Sequence, residues 1–271
     1  MAKKGDLVFN LGQEELLFLL NLLQASTTLG IEPDIYKELN EREIAVAVEV
    51  TGRALIARGF IRPNGRDSYI MDEVPLALVG TCTRPSYTII IDIVKPETKL
   101  SIFWHGTEHL SVEHSIIFPG IHKFRALAAP EELPIRLSEH LPIPSGGKLP
   151  MMSVKKMNRD VYIQARDLAI SKQSDAAEMV FLQNGVAETD AKTFVKVIMG
   201  AETTYTIGFI RHARPEQVSS IRGGALIISS VGCCIVESLE EEDKGNEVVL
   251  MPSSTDLWKN WLLANLAWVR E

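Results

Sequence analysis

The chain is poor in cysteine: Cys82, Cys233 and Cys234 are the only three among 271 residues. That is too few, and too unevenly spaced, for a disulfide framework or a structural zinc site. Cys233 and Cys234 are neighbours in an apolar run, where successive side chains of a strand face opposite ways. They read as small buried hydrophobes and imply a reducing compartment. The chain also lacks an excess of positive charge. Its 28 basic and 35 acidic residues leave a net charge of −7. The balance is even along the chain, with 15 basic and 19 acidic residues over 1–150 and 13 and 16 over 151–271. A phosphate-binding face needs clustered Lys and Arg, and composition supplies none.

Long hydrophobic runs are missing as well. The densest block, Leu16 to Leu23, is interrupted by Asn21 and falls far short of the ~20 residues that span a bilayer. The acids Glu14 and Glu15 sit just ahead of it, and no small-residue cleavage site follows a clean apolar stretch. The expectation is a cytoplasmic protein with no membrane and no nucleic-acid partner. Arg222-Gly223-Gly224 lacks the Lys and Ser/Thr of a phosphate loop, and no G-x-S-x-G elbow occurs, so neither a nucleotide nor a serine-hydrolase site is expected.

What is present is an ordinary globular composition, 46% apolar and 23% charged. A chain this long buries roughly 75% of its unfolded surface without staples. Hydrophobic spacing and turn residues predict helices at 13–25, 33–39 and 42–58, the last stopped by Gly59 and composed for burial. Strand material follows at 60–62 and 68–71 around Pro63-Asn64-Gly65, then a short helix at 73–79. Strands at 87–94, 100–104 and 110–118 come next, and 121–141 is expected to be partly helical. Pro142, Pro144, Ser145, Gly146 and Gly147 form the best linker, which sets lobes at 1–145 and 146–271 with a sheet shared between them. Beyond it lie a long helix at 160–182, a second at 190–199 capped by Thr189, and strands at 204–210, 225–230, 233–239 and 248–251. A last helix opens at a Ser253-x-x-Asp256 capping box and runs to 269. Glu240–Asp243 reads as a solvated acidic turn.

The two halves echo each other. Ser86-Tyr87-Thr88-Ile89 matches Thr204-Tyr205-Thr206-Ile207, and Ile116-Ile117-Phe118-Pro119 matches Val249-Leu250-Met251-Pro252. Each pair is expected to lead into a helix with aromatic anchors, Phe124 in one half and Trp258 and Trp261 in the other. The order predicts an internal duplication.

Three constellations invite a functional reading. His105-Gly106-Thr107-Glu108-His109 fits the H-x-x-E-H pattern of inverted zincins, which needs a helix to bring both histidines to one metal. Gly106, Thr107 and the strand-like flanks instead predict a hairpin tip without a functional metal. Three N-terminal helices followed by a Pro-Asn-Gly turn resemble a winged helix, and a DNA-binding regulator is the alternative function. On the final helix, Leu257, Trp258, Trp261, Leu262, Asn265, Trp268 and Val269 share one side at 3.6 residues per turn. Such a stripe docks on a sheet, and any exposed remainder is a partner surface.

The layout of the second half is distinctive: Leu182-x-x-Gly185-Val186 before the 190–199 helix, then Tyr205-Thr206-Ile207-Gly208, Gly224-Ala225-Leu226-Ile227, and Val248 to Ser254 before a leucine-rich helix. With the leucine-rich first helix and the Ala47–Gly59 stretch, it resembles the EspG family of type VII (ESX) secretion chaperones over nearly the whole chain. The resemblance implies a pseudo-two-fold α+β protein with duplicated lobes and a central, mainly antiparallel sheet flanked by helical bundles. It also implies a cytoplasmic, non-enzymatic chaperone without cofactor that shields the tip of a helical secretion substrate. Lys95-Pro96-Glu97-Thr98-Lys99 is shorter than the substrate-gripping loop of the family. Lys95, Pro96 and Glu97 are the expected loop contacts by position. Trp268, nearest the terminus of the stripe, is the expected helical contact. Oligomeric state is left open.

Overall fold

The computed structural model describes residues 7–25, 30–31, 36–37, 39–65, 68–127, 132–141, 153–214, 217–239 and 246–270. The expected helix at 33–39, the linker at 142–147 with the lobe boundary in it, and the acidic turn fall wholly or mostly outside them.

Among the described residues the fold is α+β, with eight helices, ten strands of antiparallel sheet and a two-stranded ribbon. The chain opens with β1 (Val8–Gly12), α1 (Gln13–Leu22) and α2 (Glu41–Ala57), followed by the ribbon β2 (Ile61–Pro63) and β3 (Tyr69–Met71) and by α3 (Glu73–Thr83). A meander follows, β4 (Tyr87–Lys95), β5 (Thr98–Gly106), β6 (Ser111–Phe118) and β7 (Ile121–Leu127), and then α4 (Leu133–His140). The order then recurs: β8 (Lys155–Asn158), helices α5 (Arg159–Ile170), α6 (Ser174–Gln183) and α7 (Glu188–Met199), a meander β9 (Ala201–Arg214), β10 (Gln217–Ser229), β11 (Gly232–Leu239) and β12 (Glu247–Ser253), and α8 (Thr255–Arg270). Strand, three helices, four-strand meander, helix: the succession occurs twice, with the small ribbon added to the first.

The chain packs as two compact units, one of residues 1–88, 101–133 and 212–218, the other of 89–100, 134–211 and 219–271. In the first, the strands lie in the order β1-β7-β6-β5. One face, with Leu11, Val112 and Phe124, packs on Leu16, Leu19 and Leu20 of α1, Leu55 of α2 and Leu78, Val79 and Cys82 of α3. In the second the order is β4-β9-β10-β11-β12-β8. Ile227, Cys234, Val236, Val248 and Leu250 meet Ala165, Phe181, Phe194 and Ile198 of α5–α7. The two adjoining cysteines split between faces, as strand geometry requires, and both are buried.

Several expectations are corrected. The single helix at 160–182 is two, because Lys172 adopts φ 62° and the Lys172 and Gln173 N–H groups turn back to the carbonyls of Ala169 and Leu168. Residues 121–127 form a strand: His122 and Phe124 alternate with Lys123 and Arg125, and β7 is paired on both sides, with β6 and β1. Phe124 is therefore a sheet residue. Tyr87 begins β4 and Tyr205 is the fifth residue of β9, each strand being the first of its meander. Pro119, however, follows the third strand of its meander and leads into a fourth, whereas Pro252 lies within the fourth strand of its own, paired with Cys234, so the second motif pair is not equivalent. The caps differ too. Ser254, not Ser253, accepts the Leu257 N–H at the start of α8 (3.3 Å), and α7 begins at Glu188 with Ala187 at its cap. Lastly, α2 is not buried. Asn40 and Glu43 cap it reciprocally, but only Thr51, Gly52 and Leu55 are covered. Its contact with α1 is one narrow stripe, where Gly52 lets the Phe18 ring come within 3.4 Å of the Cβ that any other residue would carry.

Candidate protein-binding site

The β4–β5 hairpin turns in two residues. Lys95 ends one strand, Pro96 and Glu97 form the turn, and Thr98 begins the next. Proline presets the φ that the first corner needs. All three candidate contacts are exposed, flanked by exposed Val94 and Leu100. The tip is thus a small mixed surface, aliphatic at its shoulders and charged at its point.

Helix α8 sorts its tryptophans by depth. Trp258 and Trp261 are buried, their rings stacked at 5.1 Å, with Phe209 of β9 edge-on to Trp261 at 5.8 Å. Gly224 makes room for this packing: a Cβ there would stand 2.8 Å from the Trp261 ring and 2.7 Å from the Val236 carbonyl oxygen. Trp268 alone remains half-buried. The guanidinium carbons of Arg211 and Arg222 lie over its ring, 4.3 and 4.4 Å from the centroid, and Arg211 also donates to the Trp268 carbonyl. A ring held by two cations keeps little rotamer freedom to lose on binding. Sequence reasoning missed both arginines, because strand register brings them to the helix from far along the chain.

The structure does not bring the two predicted contacts together. Gly208 of β9 lies beside Ile90 of β4. In the antiparallel pairing of the sheet, Lys95 then falls near Thr203, and Arg211 is eight positions further, about 27 Å along the strand.

The histidine motif is split between strand and turn. His105 lies buried on β5, while Glu108 and His109 are exposed in the hairpin turn, closed by the Thr107 N–H on the Leu110 carbonyl (2.9 Å). Among the described residues no group of three His, Cys, Asp or Glu side chains could hold a metal ion.

His105 belongs to a different arrangement. Thr88 Oγ1 bridges His105 Nδ1 (3.2 Å) and His212 Nε2 (3.0 Å). His114 Nε2 and His122 Nδ1 share a hydrogen bond of 2.9 Å. His114 also stacks on Phe124 at 4.7 Å and touches the Phe103 ring. These side chains line the helix-facing side of the first unit's sheet. Burial drives the His105 pKa down to about 3, with His212 adding repulsion. Burial, then His105 and His122, hold His114 well below the usual imidazole range. Both are neutral packing groups at neutral pH, poorly suited to act as proton donors.

Fold and surface together define a class: an α+β scaffold displaying a short exposed hairpin and a braced, half-buried tryptophan. No protein-family model and no curated protein matches the chain. Among solved structures, the chain shares its fold with the Mycobacterium tuberculosis type VII secretion system chaperone EspG5, solved in complex with the PE25–PPE41 dimer. The TM-score is 0.65 over 96% of each chain, at 7% sequence identity. M. tuberculosis HtdX matches 90% of this chain and 98% of its own at 8% identity, but its TM-score of 0.17 carries no structural argument.

Proposed function

We propose that this chain is a cytoplasmic, non-enzymatic chaperone of EspG type, which binds a helical secretion substrate and keeps its apolar end soluble until export. The observation that carries the reading is the fold shared along 96% of both chains with a type VII secretion chaperone. An apolar helical end left exposed would aggregate, and a hairpin tip plus an aromatic anchor is a surface able to cover it. Lys95, Pro96 and Glu97 make one contact and Trp268 the other. At about 27 Å of separation, a substrate touching both lays about 18 residues of helix across the second unit.

The DNA-binding alternative gains no support from the shared fold. Of the arginines on and just after α2, Arg53 pairs with Glu49 at 3.3 Å and Arg58 with Glu15 at 2.5 Å.

The test is coexpression with helical proteins encoded beside this chain. A substrate should become soluble and copurify only in its presence. Trp268→Ala should then weaken the complex by ~2 kcal/mol or more, the scale of a hot-spot tryptophan. If every candidate stays soluble alone and none copurifies, the chaperone reading is wrong.

A further inference from the structure

The exposed face of α2 has the pattern of an interface. A groove of about 670 Å³ runs along it, floored by Val46, Ala47, Val50 and Ala54 and bounded at one end by Gly12 and Glu14 of the β1–α1 corner. Val46 and Val50 are 54% and 53% exposed, unusual for valines one helical turn apart. Glu43, Val46, Val50 and Arg53 follow a 3-4-3 spacing, the seam of a two-helix coil. A seam of this kind is normally covered.

The charges indicate what covers it. When two copies of such a seam pack antiparallel, each first-type position meets a fourth-type position of the other helix. About an axis midway between Val46 and Val50, Val46 of one copy faces Val50 of the other. The same register sets Glu43 of one copy against Arg53 of the other, and does so twice by symmetry. A parallel register would instead place Glu43 on Glu43 and Arg53 on Arg53. Neither residue has to leave a buried partner to make this contact: Glu43 caps its own helix through one carboxylate oxygen (2.9 Å to the Asn40 N–H), and the Arg53–Glu49 pair is solvent-exposed on both sides, so it costs little to exchange. Ala47 and Ala54 flank the seam and let two backbones approach.

We propose that α2 is a docking surface for a second copy of this chain, the two helices packing antiparallel across a two-fold axis between Val46 and Val50. One helix pair is a small interface, so association is reversible and concentration-dependent. The proposal does not depend on the chaperone reading, because the groove lies in the first unit and the candidate substrate contacts in the second.

Sedimentation of the full chain up to about 100 μM is the first measurement, and a monomer–dimer equilibrium is expected. Glu43→Arg alone and Arg53→Glu alone should each weaken self-association about tenfold, since each puts like charges together at two places. The deciding step mixes these two variants. In the mixed pair every contact again joins opposite charges, so a heterodimer should form as tightly as the parent dimer. Because the mixture inherits whatever capping defect each variant has, recovery cannot come from repaired helices; circular dichroism of each variant confirms that it is folded. A parent chain that stays monomeric at about 100 μM overturns the proposal, as does a mixture no more associated than its components. A monomeric chain whose substrate binding is lost on Val50→Glu would show that a foreign helix, not a second copy, occupies the groove.

Discussion

Residues 8–140 and 155–270 pass through the same order of elements, yet the cores beneath the two sets of three helices differ in kind. Against α5–α7 the packing is aliphatic and aromatic, with Phe181 and Phe194 in contact at 5.8 Å. Against α1–α3 it includes a row of imidazoles, with His114 stacked on one phenylalanine and hydrogen-bonded to the next histidine. A repeated frame therefore does not dictate a repeated core. Strand alternation requires only that inward positions be filled. A neutral imidazole fills one much as a small aromatic would, at the cost of a buried ring nitrogen without a hydrogen-bond partner, such as His105 Nε2 and His114 Nδ1. What differs is how each core responds to acid.

The largest expected effect lies on the apolar side. Trp258→Ala removes a buried stacked ring and should destabilise the chain by about 3–5 kcal/mol in denaturant titrations, with little dependence on pH. A loss below ~1 kcal/mol would mean that α8 contributes little to the second unit.

Acid should separate the two cores next. His105 and His114 have folded-state pKa values below that of the unfolded chain, so below about pH 6.5 the unfolded state binds protons that the folded state does not. Stability is then lost as pH falls from about 6.5 toward the folded value, by about 1.4 kcal/mol per pH unit for each histidine that stays neutral. His114→Leu should flatten that slope while costing some stability at pH 7, since it leaves His122 Nδ1 unpaired. Equal slopes for parent and variant between pH 7 and 5 would refute the assignment.

A smaller effect is expected at Trp268. Losing its two guanidinium contacts should cost about 1–2 kcal/mol of stability, less than Trp258 although both sit on α8. The smallest belongs to the hairpin: Lys95→Ala should change stability by no more than about 0.5 kcal/mol. Under the proposed chaperone function, a Trp258 variant that keeps its fold should bind a substrate normally while the Trp268 variant binds it more weakly.

Much of this was legible in the residues, and the losses have specific causes. Period-two alternation marked β6 and the turn glycines marked helix ends, because those signals are local. β1 and β8 were missed: four or five residues at a sheet edge carry too short a pattern to stand out, and their pairing partners lie far along the chain. β7 was taken for helix because its inward positions are His122 and Phe124 rather than a run of β-branched residues. The short hairpin at Pro96 was visible in sequence; that it stands well away from Trp268 was not.

The sequence by itself determined the class of the fold, the order of most elements and the tryptophan-bearing face of α8, since periodicity, capping and turn chemistry act over a few residues. Tertiary structure alone decided which inward positions became a histidine row, which tryptophan stayed partly open, and that α2 kept its valines in solvent. Each of these depends on what a neighbouring strand or helix leaves uncovered, and that is fixed by contacts between residues tens of positions apart.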